Sequence, residues 1–325
     1  MILVTGGSGV VGSHVVRSLL AGGAEVAVFD ILPHDRYLAP HTVELVAGDI
    51  RDLGTLIDTI RRLRVDRIVH LAALIAQDFD RHPAVSHRVN LGGTLNVLEA
   101  ARLEGVRRVV MAGTWSAYPN PPSPENWAPT YRPVGEDTPP APRNAYAALK
   151  WAAEQLGLYY ARQFEVDFGS VRFASYYAPE RALYVQRQSG SDVLNRMMRA
   201  AVMGEPFRLA QGADQCADFV YVKDCAEGVA AAALAPSLRS RIYNLGSGRA
   251  TPLRAAVEAV REAVPGADID VGPGLNFAPG QEAIYIILDV TRGRDEIGYV
   301  PRYDVRAGVH DCIREMRRLL SRSHV

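Results

Sequence analysis

Lysine is nearly missing from this chain of 325 residues. Of its 36 cationic side chains, only Lys150 and Lys223 are lysine, and the others are arginine. Where charge alone matters the chain uses a guanidinium, so a retained lysine marks a place that needs a compact, titratable ammonium. Cysteine is scarce as well. Cys216, Cys225 and Cys312 are an odd set without metal-type spacing. That argues against a disulfide framework or a zinc site and for reduced thiols in a cytoplasmic protein. Neither sign of charge is in excess, because 36 acids balance 36 bases. No nucleic-acid or membrane partner is therefore implied. No apolar run reaches membrane-spanning length, no signal peptide is recognisable at the N-terminus, and no repeat or heptad run divides the chain. An apolar content of 48% is what a globular protein with a sizeable core carries.

The first dozen residues give the organising feature. An apolar run, Ile2-Leu3-Val4, leads into a turn holding Gly6, Gly9 and Gly12, and Val11, Val15 and Leu19 then recur at helical spacing. Strand, glycine turn and helix are the context of a nucleotide-phosphate site. Glycine allows positive φ and close backbone approach to a pyrophosphate, and the helix N-terminus offers unpaired N–H groups to the anion. A second strand, Glu25–Phe29, ends at Asp30. A carboxylate at this distance from the turn accepts both hydroxyls of an adenosine ribose and repels a 2′-phosphate, which predicts NAD rather than NADP.

The spacing predicts further strands at 43–47, 66–73, 108–112 and 166–173. They alternate with helices after Asp52, from Pro83 through Asn90 to Ala101, and over 144–164. The fold class this implies is α/β: a Rossmann-type doubly wound parallel sheet with a smaller C-terminal α/β substrate domain. The cofactor domain is expected over 1–174 and the substrate domain over 175–325, with the strand at 242–245 returning to the sheet. His70, alone in an apolar run, reads as a satisfied core histidine. The stretch from Pro119 to Pro142 holds nine of the twenty prolines and excludes regular structure. With Trp127 and Tyr131 to pack, it reads as a substrate-side lid.

Tyr146 and Lys150 stand four apart on one helix face. With so few lysines, chance supplies only about 0.09 such pairs. A free phenol has a pKa near 10, and bringing it to about 7 requires on the order of 4 kcal/mol of preferential phenolate stabilisation. A neighbouring ammonium and the positive nicotinamide of an oxidised cofactor are suitable sources. At the carboxyl end of the 108–112 strand, where sheet sites form, Thr114 or Ser116 offers a hydroxyl to a substrate oxygen.

Taken together, Thr5-Gly-Gly-Ser-Gly-Val-Val-Gly12, Asp30, Gly48–Asp52, His70–Ala73, Val89–Thr94, Tyr146 with Lys150, Asp218–Asp224 and Asn244–Gly248 resemble the extended short-chain dehydrogenase/reductases of the NAD-dependent epimerase/dehydratase group. The resemblance runs over nearly the whole chain. It implies NAD as cofactor, Tyr146 as acid/base, and Lys150 as its electrostatic and ribose-binding partner. It selects Thr114, four residues before Tyr118, as the catalytic hydroxyl. It further implies that Val10, Val11 and Ala174 meet the cofactor, that Asp49 and Ile50 flank the adenine, that Leu71, Ala72 and Ala73 line the site, and that Asn90 lies beside it. A homodimer through the long helix and the one before it is also implied.

The departures concern the substrate. Family members acting on nucleotide sugars usually carry Asn where this chain has Ser175, and Arg where it has Ala217; both help hold the diphosphate. Losing the arginine removes a charge-assisted pair, for which Arg181, Arg187 and Arg208 are the candidate replacements. Trp115 offers an aromatic wall beside Thr114. Together, Thr114, Trp115, Ser175 and Arg181 are the expected substrate contacts. The expected reaction is hydride transfer between NAD and a secondary alcohol or ketone of a small polyhydroxy substrate, such as a sugar, sugar acid or hydroxy acid. The competing readings are a nucleotide-sugar 4-epimerase with retained NAD, and a protein that senses NAD without turnover.

Overall fold

The computed structural model describes residues 1–38, 43–75, 81–184, 192–278 and 286–322. Its centre is a seven-stranded, wholly parallel sheet. The strands are β1 (Ile2–Thr5), β2 (Val26–Asp30), β3 (Glu44–Ala47), β4 (Arg67–His70), β5 (Arg108–Thr114), β6 (Asp167–Phe173) and the late strand Ile242–Leu245, in the order late-6-5-4-1-2-3. The register sets Val4 between Val28 and Val69. Strands buried on both faces must be apolar nearly throughout, which is how β1, β2 and β5 read. The order reverses between β1 and β4, and the crevice outside the carboxyl ends of these two strands is where such sheets bind ligands.

Helices cover both faces. On one side α1 (Val10–Ala21) sends Val15, Val16 and Leu19 into a cluster with Val28 and Val69. On the other, α2 (Leu53–Leu63) and the helix Thr94–Leu103 pack Leu56, Ile60, Val97 and Leu98 against Leu3 and Met111. Each fully buried aliphatic side chain contributes about 1.5–3 kcal/mol. Asp52 caps α2, its Oδ1 accepting from Thr55 N at 3.2 Å. The long helix Ala145–Gln163 is capped by Asn144, whose Oδ1 accepts from Ala147 N at 2.8 Å. It lies close enough to β6 that a Cβ on Gly157 would meet the Phe168 ring at 2.2 Å.

One expectation changes. The helical stretch from Pro83 is interrupted: Pro83–His87 is α-helical, Arg88–Gly93 is a π-helix, and α-helix resumes at Thr94. The proline-rich stretch, without α-helix or strand, is an ordered strap bonded to the body of the protein. Val134 N donates to Ile287 O at 2.8 Å, and Asp289 N donates to Val134 O at 2.9 Å. Tyr131 Oη accepts from Cys216 N at 3.1 Å. These bonds fasten the strap to two separated stretches of backbone.

Beyond β6 a second core forms from the helices Val193–Met203, Leu253–Ala263 and Val305–Arg322, with Met197, Met198, Val260 and Met316 at its heart. The methionines are therefore packing residues. The helix Val222–Leu234 returns to the sheet together with the late strand, its Ala226, Val229 and Ala233 joining the α1 cluster.

Candidate active site

A cavity of about 370 Å³ opens at the reversal between β1 and β4, lined by Gly6, Gly9, Asp30, Asp49, Ile50 and the 71–74 loop. The glycines divide the work. Gly6 has φ +71°, and a Cβ there would lie 2.7 Å from Ala72 N. A Cβ on Gly12 would lie 2.1 Å from the Gly6 carbonyl oxygen. Those two keep the turn tight. A Cβ on Gly9 would approach only Gly6 O, at 3.2 Å, so its missing side chain leaves cavity space at the start of α1. That helix has no side-chain cap, and its first N–H groups are free for an anion. Val10 and Val11 are partly buried, packed against the C-terminal core, and Gly12 is buried. These features fit a dinucleotide pyrophosphate.

Asp30 is oriented from behind. Its Oδ2 accepts from Ser8 N at 3.2 Å, while Ser8 Oγ bonds both ways with the His34 backbone, at 3.0 and 2.9 Å. Asp49 lines the cavity with its carboxylate already paired. Its carboxylate is taken by the Arg51 guanidinium, at 3.0 and 2.9 Å from Nε, which holds its pKa below the usual carboxylate range. Ile50 lines the same cavity, its carbonyl held by Asn96 Nδ2 at 3.1 Å.

The 71–74 loop is fixed by a hydrogen-bonded chain that the sequence alone did not announce. Ala72 N approaches Thr5 Oγ1 at 3.4 Å, and Thr5 Oγ1 lies 2.8 Å from His70 Nδ1. His70 Nε2 lies 2.9 Å from Thr94 Oγ1, which donates to Asn90 O at 2.7 Å. Since the Thr94 hydrogen is spent on that carbonyl, Nε2 carries the ring proton and Nδ1 accepts from Thr5. Burial pushes the imidazole down to about 3, assisted by the Lys150 charge. His70 is thus a neutral core histidine, as expected. Asn90 is turned to structure: its amide bonds Leu74 N at 2.8 Å and Leu74 O at 2.7 Å. It shapes the loop that lines the cavity.

The candidate catalytic side chains Thr114, Tyr146 and Lys150 lie where the helix Ala145–Gln163 packs on β5 and on the 115–117 turn. Thr114 is 8% exposed, and its Oγ1 accepts from Ser116 N at 3.2 Å, which leaves its hydroxyl hydrogen to donate. Tyr146 is half-buried and Lys150 is 5% exposed. Burial lowers the ammonium to about 8, against the opposing pull of Glu154. Glu154 in turn binds Arg172 and Ser170, the latter donating Oγ–H at 2.7 Å. Tyr118 is structural: its ring lies under the Arg172 guanidinium at 4.7 Å and its hydroxyl donates to Asn244 Oδ1 at 2.8 Å.

On the substrate side, Trp115 packs between the C-terminal core and the cluster of Tyr118, Val134 and Leu288. Ala174 is buried in the same cluster, its N–H bonded to Leu245 O at 3.0 Å. Ser175 opens a short strand pairing with Phe219. Arg181 is not held open for a ligand. Its Nε bonds Asp192 Oδ1 at 2.7 Å and its guanidinium lies 4.5 Å over the Tyr176 ring. Arg208 is spent on Asp268 at 2.6 Å. Arg187 lies outside the described residues. Among the described residues no group of metal-ligating side chains gathers.

A glycine turn for a pyrophosphate, an acid for a ribose and a Thr–Tyr–Lys set at the sheet's carboxyl edge define a dinucleotide-dependent oxidoreductase. The chain belongs to the NAD dependent epimerase/dehydratase family, whose model matches residues 2–246, and it is an enzyme with NAD as cofactor. It is 30% identical to the UDP-glucose 4-epimerase of Azospirillum brasilense, over 95% of this chain and 89% of that one. The Thermus thermophilus UDP-glucose 4-epimerase, solved with NAD, superposes with TM-score 0.79 at 29% identity, covering 97% of this chain and 98% of that one. An L-threonine dehydrogenase from Cupriavidus necator shares the fold, with TM-score 0.79 at 23% identity over 97% and 99% of the two chains.

Proposed function

We propose that this enzyme is a net dehydrogenase of a small polyhydroxy substrate, a sugar, sugar acid or hydroxy acid, with residues 1–174 serving the cofactor and 175–325 the substrate. NAD supplies the hydride acceptor when bound. Tyr146 takes the proton of the substrate alcohol as the carbonyl forms. The Lys150 ammonium, one helical turn on, favours the phenolate. Thr114 donates its hydroxyl hydrogen to the substrate oxygen and holds it toward Tyr146. Asp30 receives the ribose hydroxyls, and the N-terminus of α1 receives the pyrophosphate.

The carrying observation is the treatment of phosphate anchors. Ala217 is 1% exposed where nucleotide-sugar enzymes of this type place an arginine, and Arg181 is locked onto Asp192. A substrate without a diphosphate needs neither. The second reading, a nucleotide-sugar 4-epimerase, draws its support from the relatives named above. An absorbance assay separates the two. NADH accumulating in step with consumption of a free sugar, sugar acid or hydroxy acid is the expected result. Interconversion of UDP-glucose and UDP-galactose without NADH release sinks the dehydrogenase reading.

A homodimer through the helices Thr94–Leu103 and Ala145–Gln163 is proposed with it. Leu95, Leu103 and Tyr159 are 41%, 49% and 46% exposed on these helices, an apolar outward face that association would cover. Light scattering at twice the chain mass is the expected result. A cytoplasmic setting accords with three unpaired cysteines. No helix among the described residues is long and apolar enough to cross a membrane.

A further inference from the structure

A second cleft, of about 230 Å³, lies in the seam between α1 and the C-terminal helix Val305–Arg322, away from the residues of the cofactor cavity. Segments remote in sequence meet there: the second turn of α1, the stretch behind β2, Pro179 with Glu180, Lys223, and the end of the chain. Its cations are Arg17, Arg36, Lys223, Arg318 and Arg322, facing the carboxylates of Glu180 and Glu315. The whole chain has a formal charge of zero, so this is a local concentration of positive charge. On a convex helix face such arginines would be solvated. Converging on a concave space, they focus potential into it.

The floor of the cleft is built. Arg17 Nη2 donates to His14 Nδ1 at 2.7 Å, so the ring proton sits on Nε2, which donates to Glu180 Oε2 at 3.1 Å. His14 and Glu180 are 5% and 3% exposed. The neutral ring thus holds this carboxylate from inside, and Arg17, 4.0 Å from Glu180 Oε1, is its cationic partner. Glu315 is shared by Arg318 at 3.2 Å and Lys223 at 4.0 Å. Lys223 is also paired with Asp311 at 2.5 Å. Arg36 and Arg322 meet no carboxylate among the described residues. They close the cleft from opposite sides, one from the sheet layer and one from the terminal helix. The second lysine of this lysine-poor chain thus stands in an electropositive cleft, as the first stands at the reacting groups.

We propose that this cleft is an anion site separate from the active site, taking a phosphate-bearing small molecule with at least two negative charges. Such a ligand meets the two uncompensated guanidinium groups by charge-assisted bonds and bridges the stretch after β2 to the C-terminal helix.

The test is calorimetric titration of the NAD-saturated full-length enzyme with inorganic pyrophosphate at low ionic strength. Saturating NAD removes the glycine turn as a competing site. The expected result is one saturable site that weakens at least tenfold in the Arg36→Ser/Arg322→Ser double variant. Both arginines lie outside the core, so folding is retained and circular dichroism verifies it. An Arg306→Ser control, on the same terminal helix but outside the cleft, leaves affinity unchanged. Absence of saturable binding, equal affinity in the double variant, or an equal loss in the Arg306 control overturns the proposal.

Discussion

Glu154 grips Arg172 through two guanidinium nitrogens, with Nε to Oε2 at 3.1 Å and Nη2 to Oε1 at 2.5 Å, and each side chain is 2% exposed. Glu154 stands one helical turn beyond Lys150, as Lys150 stands one turn beyond Tyr146. Tyr146, the Lys150 ammonium and the buried ion pair therefore share one helix face. Arg172 Nη1 is buried without a partner, and desolvation of both ions is costly. Removing one partner strands the other.

Arg172→Met is therefore expected to cost about 3–5 kcal/mol, because the Glu154 carboxylate is left uncompensated. Glu154→Leu with Arg172→Met should recover most of it. Urea denaturation of the two single variants and the double variant measures the coupling. Additive losses would show that the pair is not the source of the cost.

Lys150 is charged at neutral pH at a cost. Its folded pKa, about 8, is below the ordinary 10.5. The penalty is present in full below pH 8 and fades as pH rises through 8 to 10.5, where the unfolded chain binds more protons than the folded one. Lys150→Met should thus stabilise the cofactor-free enzyme by about 3 kcal/mol at pH 7 while abolishing turnover. The gain should shrink toward zero near pH 10.5. Melting temperatures across pH 7–10.5 provide the measurement, and a pH-independent gain would mean that packing is responsible.

His70 responds to acid. Its folded pKa of about 3 is below the ordinary 6.5. The stability it contributes is whole above pH 6.5 and drains as pH falls toward 3, by about 5 kcal/mol in total. His70→Gln should be less stable at pH 7 but show a flatter decline between pH 6 and 4. An unchanged acid slope in urea titrations would place the sensitivity elsewhere.

The two turn glycines should separate in phenotype. Gly12→Ala puts a Cβ 2.1 Å from a backbone oxygen and is expected to cost at least about 1–3 kcal/mol of stability. Gly9→Ala meets only one oxygen, at 3.2 Å. It should leave the melting temperature nearly unchanged while raising the Kd for NAD at least tenfold, as read by fluorescence titration.

Tyr146→Phe keeps the ring and removes the transferable proton. NAD affinity should be unchanged and kcat should fall about 10²–10⁴-fold, the usual worth of a general acid/base. Stopped-flow measurement of the hydride step distinguishes this from slowed product release.

Much of the sheet was legible because its strands are short apolar runs between glycine and helix-cap signals, and these are local properties. The 43–47 strand reads well in sequence although it lies exposed at the sheet edge, where β3 covers Glu44–Ala47. The π-helix at Arg88–Gly93 was not legible, because Val89, Leu91 and Leu95 fit an ordinary helical period. It carries Asn90, whose amide clamps Leu74 from the neighbouring loop. The attachments of the strap were not legible, because proline content excludes regular structure without saying what the irregular backbone bonds to.

The sequence by itself determined the chemistry written in short spacings: the glycine turn, the acid ending β2, and the tyrosine and lysine one turn apart. These depend on backbone periods of a few residues, which the fold leaves intact. Only the tertiary structure decided how the charges pair. It bound Asp49 to Arg51, locked Arg181 onto Asp192, joined Thr5, His70 and Thr94 into one chain, and gathered Arg17, Arg36, Lys223 and Arg322 around a single cleft. A guanidinium reads the same in sequence whether it meets solvent, a buried carboxylate or a ligand. Its partner comes from a distant segment, and only the packing of the whole chain chooses that segment.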